Sequence, residues 1–145
     1  SVPGGDLVKR TRGHSVIEVA LLAPWIFFLF VGLFDFGFYA YALICVENAA
    51  RVAVMYTSDG TNSAGDSAIA CQYALGELTM LPNLKTAIAC GGPLSVTAQS
   101  VTGADGHAAS TVSVRYQTIP MIPIPGLLAG QMTITRTVQM RLRNT

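Results

Sequence analysis

Between Val19 and Phe34 the chain carries no charged side chain, and beyond Asp35 the apolar character resumes and runs to Val46. A helix through this stretch is apolar on every face, and a chain of 145 residues has no interior large enough to bury it. The segment is therefore suited to lipid or to other helices. Glu18 stands at its head, and an acid there is costly in lipid unless it meets a partner.

The flanks set the direction of this segment. Residues 1–13 contain Pro3, Gly4 and Gly5, which oppose regular structure, and then the basic cluster Lys9, Arg10 and Arg12. Positive charge before an apolar run keeps that end cytoplasmic and sends the C-terminal part across the membrane. The apolar run is too long for the core of a signal peptide, and no small-x-small cleavage pattern follows it. It is an anchor or an assembly element.

A helix is expected to begin near His14 or Ser15. Ser15 and Glu18 have capping-box spacing, which offers a local explanation for the acid. Pro24 removes one intrahelical hydrogen bond and is expected to bend or loosen the helix near Ala20. Gly32 and Gly37, with alanines at 40, 42, 49, 50 and 53, permit close helix approach. Glu47 and Arg51 stand in the favourable i, i+4 order, and helical character ends by Ser58-Asp59-Gly60. A helix over 14–57 is roughly 65 Å long, about twice the hydrocarbon thickness, so its second half must leave the bilayer and pack on something.

From Thr57 onward the composition is that of an ordinary polar, Gly- and Thr-rich globular chain. Ala64, Ala68, Ile69, Cys71, Leu75 and Leu78 give a helical stripe over 61–81, with Asp66 near its start and Pro82 closing it. Leu94, Val96 and Ala98 then alternate with Ser95, Thr97 and Gln99. Val112, Val114 and Tyr116 alternate with Ser113, Arg115 and Gln117, after a hairpin loop expected over 101–109. The link Ile119–Gly126 holds three prolines and cannot be a central strand, although its apolar residues want burial. A last alternating strand over 132–142 is interrupted on its apolar face by Arg136. The expected fold is α+β: a long apolar N-terminal helix packed on a small three-stranded antiparallel sheet, with a second short helix. The expected organisation is a basic leader or arm over 1–13, the apolar helix over 14–57 and a globular head over 58–145.

Several function classes find no support. The net charge is +1 and the pI is near 7.7, which argues against a nucleic-acid partner. His14 and His107 sit at a helix start and in a Gly-rich loop, with no nucleophile or metal-ligand spacing beside them. Gly103-Ala104-Asp105-Gly106 has too few acids for a calcium loop. No enzyme, metal or cofactor is indicated. The aromatic residues between Trp25 and Tyr41 are read as lipid-facing and helix-packing groups rather than an electron path. Of the three cysteines, Cys45 is read as a small hydrophobe in the helix. Cys71 and Cys90 are either a disulfide, if that half faces an oxidising compartment, or two buried thiols.

The pattern Arg12-Gly13-x-x-x-x-Glu18-x-Ala20-Leu21-x-x-Pro24, the apolar run after it and Asn48-Ala49-Ala50-Arg51 together resemble a TadE-like pseudopilin of the tight-adherence branch of type IV pilus systems. The Val112-x-Val114 strand, the Pro-rich link and the Thr-alternating last strand extend the likeness toward the C-terminus. The resemblance implies a type IV pilin-like fold and a structural subunit. Such a subunit waits in the inner membrane and is assembled by pilus machinery, with copies of itself, into an extracellular helical filament. The alternative is a membrane-anchored accessory or minor pseudopilin that primes or aids pilus assembly or secretion.

The resemblance also implies residue roles. Cleavage after Gly13 makes His14 the new N-terminus, and Glu18 then pairs with the amine of a neighbouring subunit. The chain begins at Ser1, the residue left when an initiator Met precedes a small residue. On that reading the leader is retained, the site at Gly13 and His14 is unused, and Glu18 meets Lys9, Arg10 or Arg12 of an adjacent copy. Independently of the resemblance, Asp35, deeper in the run, is read either as a functional intramembrane acid or as a group that simply bonds a hydroxyl or Arg51 of a neighbour in the assembled bundle. Pro24, Glu47 and Arg51 complete the candidate assembly residues.

Overall fold

The computed structural model describes residues 11–122 and 130–143, with side chains described from residue 15 onward. The order is α1 (Thr11–Thr57), α2 (Ser67–Leu78), β1 (Leu94–Thr102), β2 (Ala108–Gln117) and β3 (Thr133–Arg141). This is the expected α+β arrangement. Compact packing divides the chain into two units, Ser1–Gly37 and Phe38–Thr145. That division falls inside α1, where its residues begin to be buried, and not at its end.

In the first unit α1 is helical on both sides of Pro24. The helix begins at Thr11, earlier than expected, so Ser15 lies inside it and is not its N-cap. The capping-box account of Glu18 therefore does not apply.

The second unit holds the core. Ala42, Val46, Ala49, Ala50, Ala53 and Val54 are buried at successive turns of α1, one stripe at helical spacing. They share one apolar cluster with Ala70, Ala74 and Leu78 of α2 and with Leu94, Val112, Val114 and Tyr116 of the sheet. The second part of α1 thus covers the sheet, as the alternating strands required. Leu78, Leu81, Leu84 and Leu94 are almost fully buried, each stabilising the unit by about 1.5–3 kcal/mol relative to exposure.

α2 is shorter than the helix expected over 61–81. Asp66 caps it, its Oδ1 accepting from the backbone N–H of Ala68 at 2.8 Å and of Ile69 at 3.2 Å. Residues 61–65 form turns instead, with the Ser63 hydroxyl 3.0 Å from the Gly60 carbonyl and 3.1 Å from the Thr57 carbonyl. At the other end α2 stops at Leu78, before Pro82, and three successive turn bonds carry the chain from Leu78 to Ala87.

The sheet is antiparallel in the order β1-β2-β3. Ser100, Val101 and Thr102 pair with Ser110, Ala109 and Ala108, so the hairpin loop spans only 103–107. The tight loop is held by Asp105, whose Oδ1 accepts from the N–H of His107 at 3.1 Å. Gly106 takes φ +77° there, a backbone that favours glycine.

The outward face of the sheet follows from the register. Ser95, Arg115 and Thr135 form one row across the strands, Thr97, Ser113 and Thr137 the next, and Gln99, Thr111 and Gln139 a third. No acid and no large apolar side chain stands in these rows. The Thr137 hydroxyl donates to Ser113 Oγ at 3.0 Å. In the Pro-rich link Met121 is buried and Ile122 exposed; the rest of that expectation, residues 123–129, lies outside the described residues.

Candidate assembly surface

The first unit presents a long, largely apolar surface. Every residue from Ser15 to Phe30 is exposed, including Trp25 at 69 % and Leu29 at 73 %. Leaving this surface in water is unfavourable by about 25 cal/mol per Å² of apolar area, so it calls for lipid or for other helices. Among the described residues one helix is long and apolar enough to cross a membrane, Ser15–Thr57. Phe27 and Phe28 meet edge to face at 6.2 Å, and the other rings of the segment point outward as isolated apolar groups.

Two acids interrupt this surface. Glu18 is exposed, with neither end of α1 near enough for a capping role. Asp35 is half-buried, and its Oδ2 is shielded from solvent with no hydrogen-bond partner among the described residues. An orphaned carboxylate oxygen of this kind is unfavourable until another group reaches it. Gly37, two residues on, has open space where a Cβ would stand.

The expected basic partners are only partly placed. Lys9 and Arg10 lie outside the described residues. Arg12, Gly13 and His14 fall in the first turn of α1, but their side chains also lie outside the description.

In the second unit Glu47 is engaged within its own chain. Its Oε1 accepts from Arg51 Nη2 at 2.6 Å, and its Oε2 lies 4.0 Å from Nε of Arg136 on β3. Arg136 interrupts the apolar face of the last strand because it reaches this acid. The exposed pair contributes at most a few tenths of a kcal/mol, about the value of an i, i+4 helix pair. The pair stands at the edge of a groove lined also by Val54, Met55, Val138 and Met140.

Cys71 and Cys90 are joined by a disulfide, with Cα atoms 5.9 Å apart. The bond ties α2 to the loop that leads into β1. Cys45 is a free, half-buried thiol on α1 packed against the core. Asp105, held below the usual carboxylate range mainly by the His107 N–H, has its Oδ2 3.9 Å from Arg141. His107 stands in the hairpin loop, and no group of His, Cys, Asp and Glu among the described residues is arranged to hold a metal ion.

Sequence reasoning missed two structural polar sites. Ser110 Oγ is buried 2.8 Å from both Thr57 Oγ1 and the Ala64 carbonyl. Tyr116 is buried and donates its hydroxyl to Asn83 Oδ1 at 2.6 Å. The only sequence signal for Ser110 was a serine preceding a run of inward-facing apolar positions, which carries no partner information.

Residues 13–55 match the family model described as TadE-like protein. The chain therefore carries a TadE-like segment from Gly13 to Met55, under a third of its length and almost all of α1. No curated protein and no solved structure matches the chain. A TadE-like segment on an apolar N-terminal helix fits a pilus-related pseudopilin, a structural class of protein.

Proposed function

We propose that this chain is a structural, non-enzymatic pilin-like subunit that assembles through its N-terminal apolar helix into an extracellular helical filament. The observation that carries the reading is the run Ser15–Phe30, exposed throughout, apolar apart from Ser15 and Glu18, and lying within the TadE-like match. In lipid this surface is satisfied while the subunit waits in the inner membrane. In a bundle of helices it is satisfied by copies of itself. In this reading residues 1–13 are a leader or arm, 14–57 the stalk and 58–145 the head.

Glu18 sets the register between copies. Its partner is either the amine of His14, after cleavage at Gly13, or a basic side chain among Lys9, Arg10 and Arg12 of a neighbour. N-terminal sequencing of the exported chain distinguishes these two partners. Asp35 has a parallel role deeper in the bundle, its free oxygen taking a hydroxyl or Arg51 of an adjacent copy in exchange for the Glu47 contact.

Electron microscopy of material sheared from cells tests the reading. Polymers containing this chain support it. Recovery only in detergent-solubilised inner membrane overturns it in favour of a membrane-anchored accessory. Occurrence as a small fraction of a filament built from another protein identifies a minor, priming subunit.

A further inference from the structure

The arginines of the second unit differ in how they are paired. Arg51, Arg136, Arg141 and Arg143 each have an acid within 4.0 Å. Arg115, on the central strand, has none among the described residues, and its cross-strand neighbours are Ser95 and Thr135. A cleft of about 170 Å³ opens beside it, lined by Gly92, Pro93, Ser95, Arg115, Gln117 and Thr133. None of the four polar side chains in that lining makes a hydrogen bond within the described chain.

The cleft is held in shape by the backbone around it. Gln117 donates its N–H to the Pro93 carbonyl at 2.7 Å, and Asn83 Nδ2 donates to the Gln117 carbonyl at 3.0 Å. Leu94 N–H closes a turn on the Gly91 carbonyl at 3.2 Å, Gly92 takes φ +60°, and the disulfide at Cys90 ties the start of the loop to α2. The backbone that carries the four polar side chains is therefore prearranged, which lowers the part of the ordering cost of binding that the loop would otherwise add.

We infer that this cleft is a subsite for the carboxylate of an acidic polysaccharide laid across the outward face of the sheet. A guanidinium presents a planar fork that matches a carboxylate, and the Ser95, Thr133 and Gln117 side chains supply further hydrogen bonds to its oxygens and neighbouring hydroxyls. The volume is below the roughly 300 Å³ lower end of small-molecule sites, so the cleft takes one charged group and leaves the rest of the ligand on the open face.

The surroundings decide the ligand class. One positive charge among neutral hydroxyl and amide groups suits a polymer with one anionic group among many hydroxyls. A polyphosphate or nucleic acid needs a cluster of cations, which this face lacks. A protein partner needs an apolar or aromatic anchor at the centre, and the three rows offer none. The face also has no ring on which to stack a sugar, so affinity per site is low and repetition of the site along an assembly raises the avidity.

The test uses the full-length chain in zwitterionic lipid nanodiscs, with immobilised polygalacturonate, dextran and polyphosphate as probes at low ionic strength. Polygalacturonate should be retained and dextran not, with polyphosphate weaker than polygalacturonate. Arg115→Gln should weaken polygalacturonate binding about tenfold or more, Arg115→Lys less, and Arg143→Gln not at all. Both altered arginines are exposed, so circular dichroism should show an intact fold. Equal retention on dextran, tighter retention on polyphosphate, no retention on polygalacturonate, or an equal loss in Arg115→Gln and Arg143→Gln each overturns the proposal. Filament formation is read separately, so failure of this site leaves the assembly reading untouched.

Discussion

Ser110 of the central strand and Thr57 at the end of α1 place their hydroxyl oxygens 2.8 Å apart, both residues fully buried. Ser110 Oγ is equally close to the Ala64 carbonyl, and it has one proton to give. The carbonyl can only accept, so Ser110 serves it, and the Thr57 hydroxyl donates either to Ser110 Oγ or to the Val54 carbonyl 3.3 Å away. One small polar group thus joins the helix end, the turn after it and the middle of the sheet.

Replacing Ser110 by Ala leaves the Ala64 carbonyl unpartnered inside the protein. The expected loss is about 1–3 kcal/mol, read as a lower urea midpoint at unchanged slope. Thr57→Val should cost less, because Ser110 keeps its bond to the carbonyl. Equal losses in the two variants would show that Ser110 does not serve that carbonyl.

Charge reversal at Glu18 separates insertion from assembly. Glu18→Lys is expected to abolish or shorten surface filaments while the chain still fractionates with the inner membrane. Normal filaments from this variant, counted in sheared preparations, would remove Glu18 from the register role.

The disulfide closes a loop between residues 19 apart. Cys90→Ser, or reduction of the native chain, should lower stability by about 3 kcal/mol on the loop-entropy argument. The Gly91–Pro93 loop should also loosen, so polygalacturonate retention should fall with it. Hydrogen exchange at Leu94, measured with and without reductant, reports this directly.

Burial pushes the Tyr116 phenol above its ordinary 10.0, with the Asn83 bond acting the other way and Cys45 adding to the rise. Below that ordinary value the phenol is neutral in both folded and unfolded chains, and its contribution is fully present. As pH climbs beyond it the unfolded chain releases its proton first, so stability falls toward and through the raised value. Tyr116→Phe should be less stable at neutral pH by about 1 kcal/mol and should lose this part of the alkaline decline. Ultraviolet titration of the phenolate, followed beside unfolding curves, checks both.

The parts of the fold that were legible in the sequence are those set by periodicity. Sixteen residues without charge mark α1 whatever lies around them, and strict alternation at Leu94–Gln99 and Val112–Gln117 marks two strands and their inward faces. Element ends were less legible because they depend on single side chains and on pairing. α2 starts six residues late, at Ser67, because the Asp66 carboxylate satisfies two helix N–H groups, and it stops before Pro82 because turn bonds take over at Leu78. The Arg115 cleft was illegible for a different reason. Its lining comes from Gly92, Ser95, Arg115 and Thr133, which only the strand register and the loop before β1 bring together. Among assembly residues, Glu18 and Asp35 stood out as acids in an apolar run, but spacing also suggested a cap for Glu18 that an earlier helix start removes.

The alanine seam bears on how such a chain can vary. Ala42, Ala49, Ala50 and Ala53 of α1 and Ala70 and Ala74 of α2 are wholly buried in one cluster. An added methylene there forces neighbours off their rotamers, and removal of the methyl leaves glycine inside a helix. Both directions of change are closed. The outward rows of threonine, serine and glutamine bear no such packing constraint. Substitution on that face is therefore expected to alter what the head meets while leaving the interior of the head intact.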